Sequence, residues 1–89
     1  AAPATPDEAL LVDIDLAILG KAPGRFDDYE RQVREEYAAV PEALFRSRRQ
    51  AILEGFLRRP RLFSTAWFHD RLELPARRNL QRSLARLGV

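Results

Sequence analysis

Apolar residues recur at three- and four-residue spacing along most of this chain, and no segment alternates with the period of two that marks a half-buried strand. The pattern predicts an all-α fold of about four helices. A first helix is expected from Asp7, as N-cap behind Pro6, to Leu19, closed by a left-handed Gly20. After the turn Lys21-Ala22-Pro23-Gly24, a second spans roughly Arg25 to Val40, with Phe26, Tyr29, Val33, Tyr37 and Val40 as its buried stripe. On its outer face Asp27 and Arg31, and Glu30 and Arg34, stand four residues apart, in position to pair along the helix. Pro41 ends that helix and starts a third, which is expected to bury Leu44, Phe45, Ile52, Leu53, Phe56 and Leu57 while Arg46, Arg48 and Arg49 point outward. Arg59-Pro60-Arg61 reads as an extended break. Ser64 or Thr65 then caps a last segment striped by Phe68, Leu72, Ala76, Leu80, Leu84 and Leu87, with a kink or restart expected at Pro75.

The first of these helices departs from the usual amphipathic plan. Projected at about 100° per residue, Leu10, Leu11, Val12, Ile14, Leu16, Ala17, Ile18 and Leu19 surround nearly the whole circumference, interrupted only by Asp13 and Asp15. A helix apolar all round is enclosed by other elements, so at least one aspartate is expected in or beside an interior and the helix should be the most enclosed of the four once any partner is in place. An ionised carboxylate buried without a partner costs several kcal/mol. Something must compensate it, and a bound cation or an arginine would serve. The two side chains point about 200° apart on a helix, so both cannot bind one ion directly.

Length changes this picture. Eighty-nine residues make one small domain that buries surface poorly by itself, with no cysteine for disulfides and no Cys/His spacing for structural zinc. Residues 1–6 read as a loop or linker remnant, and residues 7–89 as the helical portion, so the chain is expected to be cut or processed from something longer. It should then leave an apolar patch exposed and associate with itself or with a missing N-terminal segment. No apolar run reaches the roughly 18 residues of a membrane span and the opening lacks signal-peptide character, which makes cytoplasmic residence the expectation. Charge is split: eleven acidic and seven basic residues precede Gly55, while two and eight follow it. Such a basic tail can attract phosphate. Because arginine supplies fourteen of the fifteen basic residues, a coding bias explains the excess equally well, and nucleic acid is not an expected partner.

His69-Asp70 is the other candidate for chemistry. An adjacent His-Asp pair can ligate a divalent metal, but this is the only histidine, and an aspartate in the first turn of a helix is favourable without any ligand. Glu36 and Tyr37 suggest a structural hydrogen bond beside the buried stripe. No Gly-rich phosphate loop, nucleophile elbow or Cys/His dyad is present.

Taken in order, DIDLAILG, YERQVREEYAAVPEALFRSRRQAIL, the RLFST turn and ARRNLQRSLARL resemble the C-terminal part of a bacterial family of predicted HD-superfamily metal-dependent phosphohydrolases, from about Asp7 to Leu87. Some members carry an N-methyl-D-aspartate receptor subunit label, which a chain without a membrane span does not support. The resemblance implies an all-helical HD-like fold in which this chain is the C-terminal portion. It also implies a divalent metal ion in the intact parent, a phosphorylated small molecule or nucleotide as its substrate, and a final metal-ligand aspartate best matched by Asp15, with Asp13 as the alternative. The family's first His and its His-Asp pair lie upstream of these residues, so the fragment alone is expected to be inactive. A non-catalytic helical interaction module, docking through the first helix, is the competing expectation, and a homo-oligomer is compatible with either.

Overall fold

The computed structural model describes residues 5–88, and these form four α-helices with no strand among them. Helix α1 runs Pro6–Leu16 and tightens into a 3₁₀ turn, Ala17–Gly20; α2 is Pro23–Glu36, α3 Glu42–Arg58 and α4 Ala66–Arg86. The leading loop expected over residues 1–6 lies outside the described residues up to position 4, and Pro6 already belongs to α1.

Helix α1 starts earlier than Asp7 because Thr5 is the better cap. Its hydroxyl accepts the Glu8 N–H at 3.1 Å, with Pro6 next to it in the first helical position, where its missing N–H forgoes no bond. At the other end Gly20 does not take the left-handed conformation; the positive φ among the described residues belongs to Gly88. Gly20 answers a different need. A Cβ there would lie 2.8 Å from Cβ of Leu72 and 3.1 Å from the Leu72 carbonyl oxygen, so the 3₁₀ turn packs against α4 at a separation only glycine permits.

The second helix buries Phe26, while Tyr29, Val33 and Val40 are partly covered and Tyr37 is 55 % exposed, so the expected stripe narrows toward its C-terminal end. Neither expected pair along α2 forms. Asp27 instead accepts from Arg82 at 2.8 Å and meets Arg86 at 3.1 Å, both on α4. Glu30 accepts from Arg49 of α3 at 2.6 and 3.0 Å and from the Ser83 hydroxyl of α4 at 3.0 Å. These carboxylates face neighbouring helices, where a partner held in place by packing outcompetes a flexible one on the same helix. Arg34 closes the α2–α3 connection by donating to the carbonyls of Tyr37 and Val40 and to Glu42, which places a cation where α2 leaves its last carbonyls.

In α3, Leu53 is fully buried and Phe45, Phe56 and Leu57 are partly so, but Leu44 and Ile52 are exposed and Arg49 turns inward to Glu30. Helix α4 carries its stripe as expected, with Ala76, Leu80 and Leu84 buried and Phe68, Leu72 and Leu87 packed at the margin. It runs through Pro75 as one continuous helix, so of the kink or restart expected there no restart occurs. An interior proline costs about 3 kcal/mol, and the apolar contacts on both sides of Pro75 hold the helix together against that cost. The core is Leu19, Phe26, Leu53, Leu62, Phe63, Ala76, Leu80 and Leu84, drawn from every element except α1, with Leu62 and Phe63 supplied by the α3–α4 loop.

Candidate functional site

Helix α1 buries one side chain completely, and it is Asp13. Leu10, Leu11, Val12 and Ile14 are all exposed, Leu11 by 62 %. Within this chain, then, the helix expected to be the most enclosed displays its apolar surface. The reason is geometric: Asp13 points to the core, and the opposite side of the helix has no element of the described chain over it.

The two aspartates fall on opposite sides, as their spacing requires, and have different surroundings. Asp13 is 0 % exposed, and both its oxygens are engaged: Oδ1 accepts the Ser64 N–H at 3.0 Å, and Oδ2 accepts the Thr65 N–H at 2.8 Å and the Thr65 hydroxyl at 2.6 Å. The cation or arginine that its burial seemed to require is replaced by backbone. Asp15 is exposed and meets no hydrogen-bond or ion-pair partner among the described residues. With Leu11 one turn before it and Val12 and Ile14 to either side, its carboxylate lies in the middle of the uncovered apolar surface.

A second carboxylate holds the other half of the same loop. Glu73 of α4 is 7 % exposed; it accepts the N–H groups of Leu62 at 3.0 Å and Phe63 at 3.1 Å, and Arg77 donates to it at 2.9 Å. Arg77 reaches on to the carbonyls of Leu57 at 3.1 Å and Arg59 at 2.6 Å. Burial pushes the Glu73 carboxyl up, but the two amides and the Arg77 guanidinium outweigh it and hold the group below its ordinary value. Four consecutive backbone amides, from Leu62 to Thr65, are thus donated to two carboxylates on different helices. Asn79, also buried, extends the scheme by donating to the carbonyls of Leu19 and Lys21, both at 2.8 Å, which fixes the end of the 3₁₀ turn. Glu73 and Asn79 flank Ala76 by three residues on either side, so each projects about 60° from the centre of the α4 stripe. Polar residues that close to a buried stripe are the signal by which sequence reasoning could have found them.

Asp70 does not stand in the first turn of the last helix as expected: α4 begins at Ala66, and its first turn holds no acidic residue. The imidazole Nδ1 is 3.6 Å from Asp70 and Nε2 3.9 Å from Glu73, and Asp70 is solvated. Glu36 and Tyr37 are both exposed, and Tyr37 accepts from Arg34 through its backbone carbonyl. Among the described residues no three His, Cys, Asp or Glu side chains converge as a metal site would need. As a donor, Asp15 offers a free, hard oxygen suited to Mg²⁺ or Mn²⁺, and fits as one member of a set but not as a set.

Two concavities lie elsewhere. One, of about 230 Å³, lies between α2, α3 and α4, with Asp27, Glu30, Arg46 and Arg86 among the residues that line it. The second, of about 260 Å³, is apolar and lies between α2 and α3 around Val33, Tyr37, Val40, Phe45 and Ile52. No residue of α1 lines either. No described helix is long and apolar enough to cross a membrane. No family model, curated protein or solved structure matches the chain.

Proposed function

We propose that this chain is the C-terminal helical part of an HD-type metal-dependent phosphohydrolase, and that Asp15 is its contribution to the metal site. One observation carries the reading: of two aspartates on an apolar helix, Asp13 has both oxygens occupied by backbone and hydroxyl donors, whereas Asp15 is unpartnered within an uncovered apolar surface. If another part of the protein covers that surface, Asp15 is taken out of water and needs a positive charge, since an unpaired buried carboxylate costs several kcal/mol. A divalent ion would supply that charge, and when bound would lower the pKa of a coordinated water and polarise a phosphoryl oxygen. The chain's own part is modest. Asp15 gives one oxygen ligand, Leu11, Val12 and Ile14 exclude water around it, and α2, α3 and α4 support α1 from behind.

The partner in this reading is the N-terminal part of the same domain, which would bring the remaining ligands, and the substrate is a phosphorylated small molecule or nucleotide. In an intact protein that includes this chain, Asp15→Ala should abolish Mn²⁺ binding and hydrolysis across a nucleotide panel, while His69→Ala and Asp70→Ala should leave both nearly unchanged. Loss in the His69 variant with none in the Asp15 variant would reverse the assignment. The exposed α1 surface also favours a second reading, a non-catalytic module that docks on a protein presenting an arginine or lysine to Asp15. In that case Asp15→Ala weakens association and no divalent ion binds.

A further inference from the structure

We propose that α1 is one half of a contact between two copies of this chain: its outward face, with Asp7, Leu11 and Asp15, seats on the outward face of α4 in a second copy, with Arg71, Leu74 and Arg78. The inference rests on the reading of α1 as a helix that docks on a protein presenting an arginine or lysine to Asp15, and it names that protein.

The two faces carry opposite charge in the same arrangement. Helix α1 has no basic residue, and Asp7, Leu11 and Asp15 follow one another at four-residue intervals, which puts them in one row on the side away from Asp13. Leu11 is 62 % exposed, and neither Asp7 nor Asp15 meets a hydrogen-bond or ion-pair partner among the described residues. Helix α4 also has an outward side, opposite Ala76 and Leu80. Trp67 and Leu74 stand there seven residues apart, 57 % and 65 % exposed, and Leu74 has Arg71 three residues before it and Arg78 four after. Arg71 is held along this surface: it donates to the Trp67 carbonyl at 3.0 Å, and its guanidinium carbon lies 4.1 Å from the centre of the Trp67 ring. Arg78 is exposed, and neither arginine meets a carboxylate among the described residues.

At the helical rise, the two aspartates are about 12 Å apart along α1 and the two arginines about 10.5 Å apart along α4. With Leu11 laid on Leu74 in either direction, each carboxylate comes opposite a guanidinium. Asp70 borders the same face on the side away from the arginines, so α1 approaches by the other edge. Leucine on leucine supplies the attraction, to which exposed ion pairs add little. The charges select the partner: α1 on another α1 sets acid against acid, α4 on another α4 sets base against base, and like charges across an interface disfavour both. Because the two faces differ, the contact is head-to-tail, and two copies either exchange both contacts and close or go on adding further copies.

The experiment is sedimentation of the 89-residue chain over a range of concentrations, with circular dichroism of each variant to establish that it folds. Wild type is expected to associate weakly as concentration rises, since one helix face on another is a small contact. Reversing the charge on α1 (Asp7→Arg with Asp15→Arg) or on α4 (Arg71→Glu with Arg78→Glu) should weaken association about tenfold or more, and mixing the two reversed chains should restore it, because each presents the sign the other has lost. Such recovery cannot come from a chain that fails to fold. Leu74→Ala, at an exposed position, should weaken association with α1 and every charge left in place. A wild-type chain that stays monomeric up to about 1 mM, where a micromolar contact would be saturated, overturns the second copy as partner without touching the docking of α1 on a different protein. Association that falls with Leu11→Ala but ignores charge reversal and Leu74→Ala also overturns it, and leaves α1 a docking helix. Association that ignores Leu11→Ala as well removes α1 from the contact, and the docking reading fails together with this inference.

Discussion

Helices α1 and α4 are both rich in leucine, and they use it in opposite ways. Along α4 most of the apolar residues, Leu72, Ala76, Leu80 and Leu84, with Leu87 just past its end, fall on one side, and that side meets the 3₁₀ turn, α2 and α3, while Trp67 and Leu74 point outward. Along α1 they fall everywhere, and the one direction that faces the bundle is occupied by a carboxylate. A concentrated stripe is buried by its own chain, whereas apolar residues spread round a helix outnumber the neighbours available to cover them. What α4 gains from burial at about 25 cal/mol per Å², α1 obtains within this chain only at its junction with the 3₁₀ turn and from three hydrogen bonds to Asp13.

The sharpest way to break this contrast is to truncate one leucine from each helix. Leu80→Ala, which empties a fully buried position, should cost about 3 kcal/mol in urea unfolding. Next in size is the carboxylate behind the loop. Glu73→Gln should cost about 2 kcal/mol at neutral pH, because a charged acceptor shared by two amides and Arg77 is replaced by an amide that must turn an N–H toward one of its donors. The sign with pH follows from its depressed value. The folded carboxyl holds its charge below the ordinary 4.5, so its contribution is complete above that pH and is lost as pH falls through the lower folded value. Wild type should therefore destabilise on acidification below about 4.5 more steeply than Glu73→Gln, and parallel curves would exclude Glu73 as a cause of acid unfolding. Smallest is Leu11→Ala, expected to change stability by less than about 0.5 kcal/mol because the side chain is exposed. A cost equal to that of Leu80→Ala would mean α1 is packed as α4 is.

Much of the fold was legible because helical period, proline and glycine act locally. The four segments and the α4 stripe follow from spacing alone. Three things did not, and each depends on a distant residue. Gly20 reads as a left-handed helix end until Leu72 is placed against it; Asp27 and Glu30 read as partners within α2 until α3 and α4 present arginines at better geometry. Leu62 and Phe63 read as part of the RLFST turn, yet they are core residues, admitted because Glu73 satisfies the amides that a buried loop would otherwise leave unpaired. For the candidate site, the sequence marked both aspartates and their opposite directions. It could not say which faces inward, since that is decided by Ser64 and Thr65 on the far side of the chain.

Whether the α1 surface is covered in a longer protein of the kind proposed can be measured by amide hydrogen exchange. The account predicts that, in the 89-residue chain alone, the amides of α1 exchange much faster than those of α4 around Leu80 and Leu84, because few apolar contacts oppose local opening there. In such a longer protein the α1 amides should slow by about a hundredfold or more, with those of α4 changing little. Equal α1 exchange in both forms would show that nothing docks on this helix, and would contradict the claim that it completes a site with Asp15 at its centre.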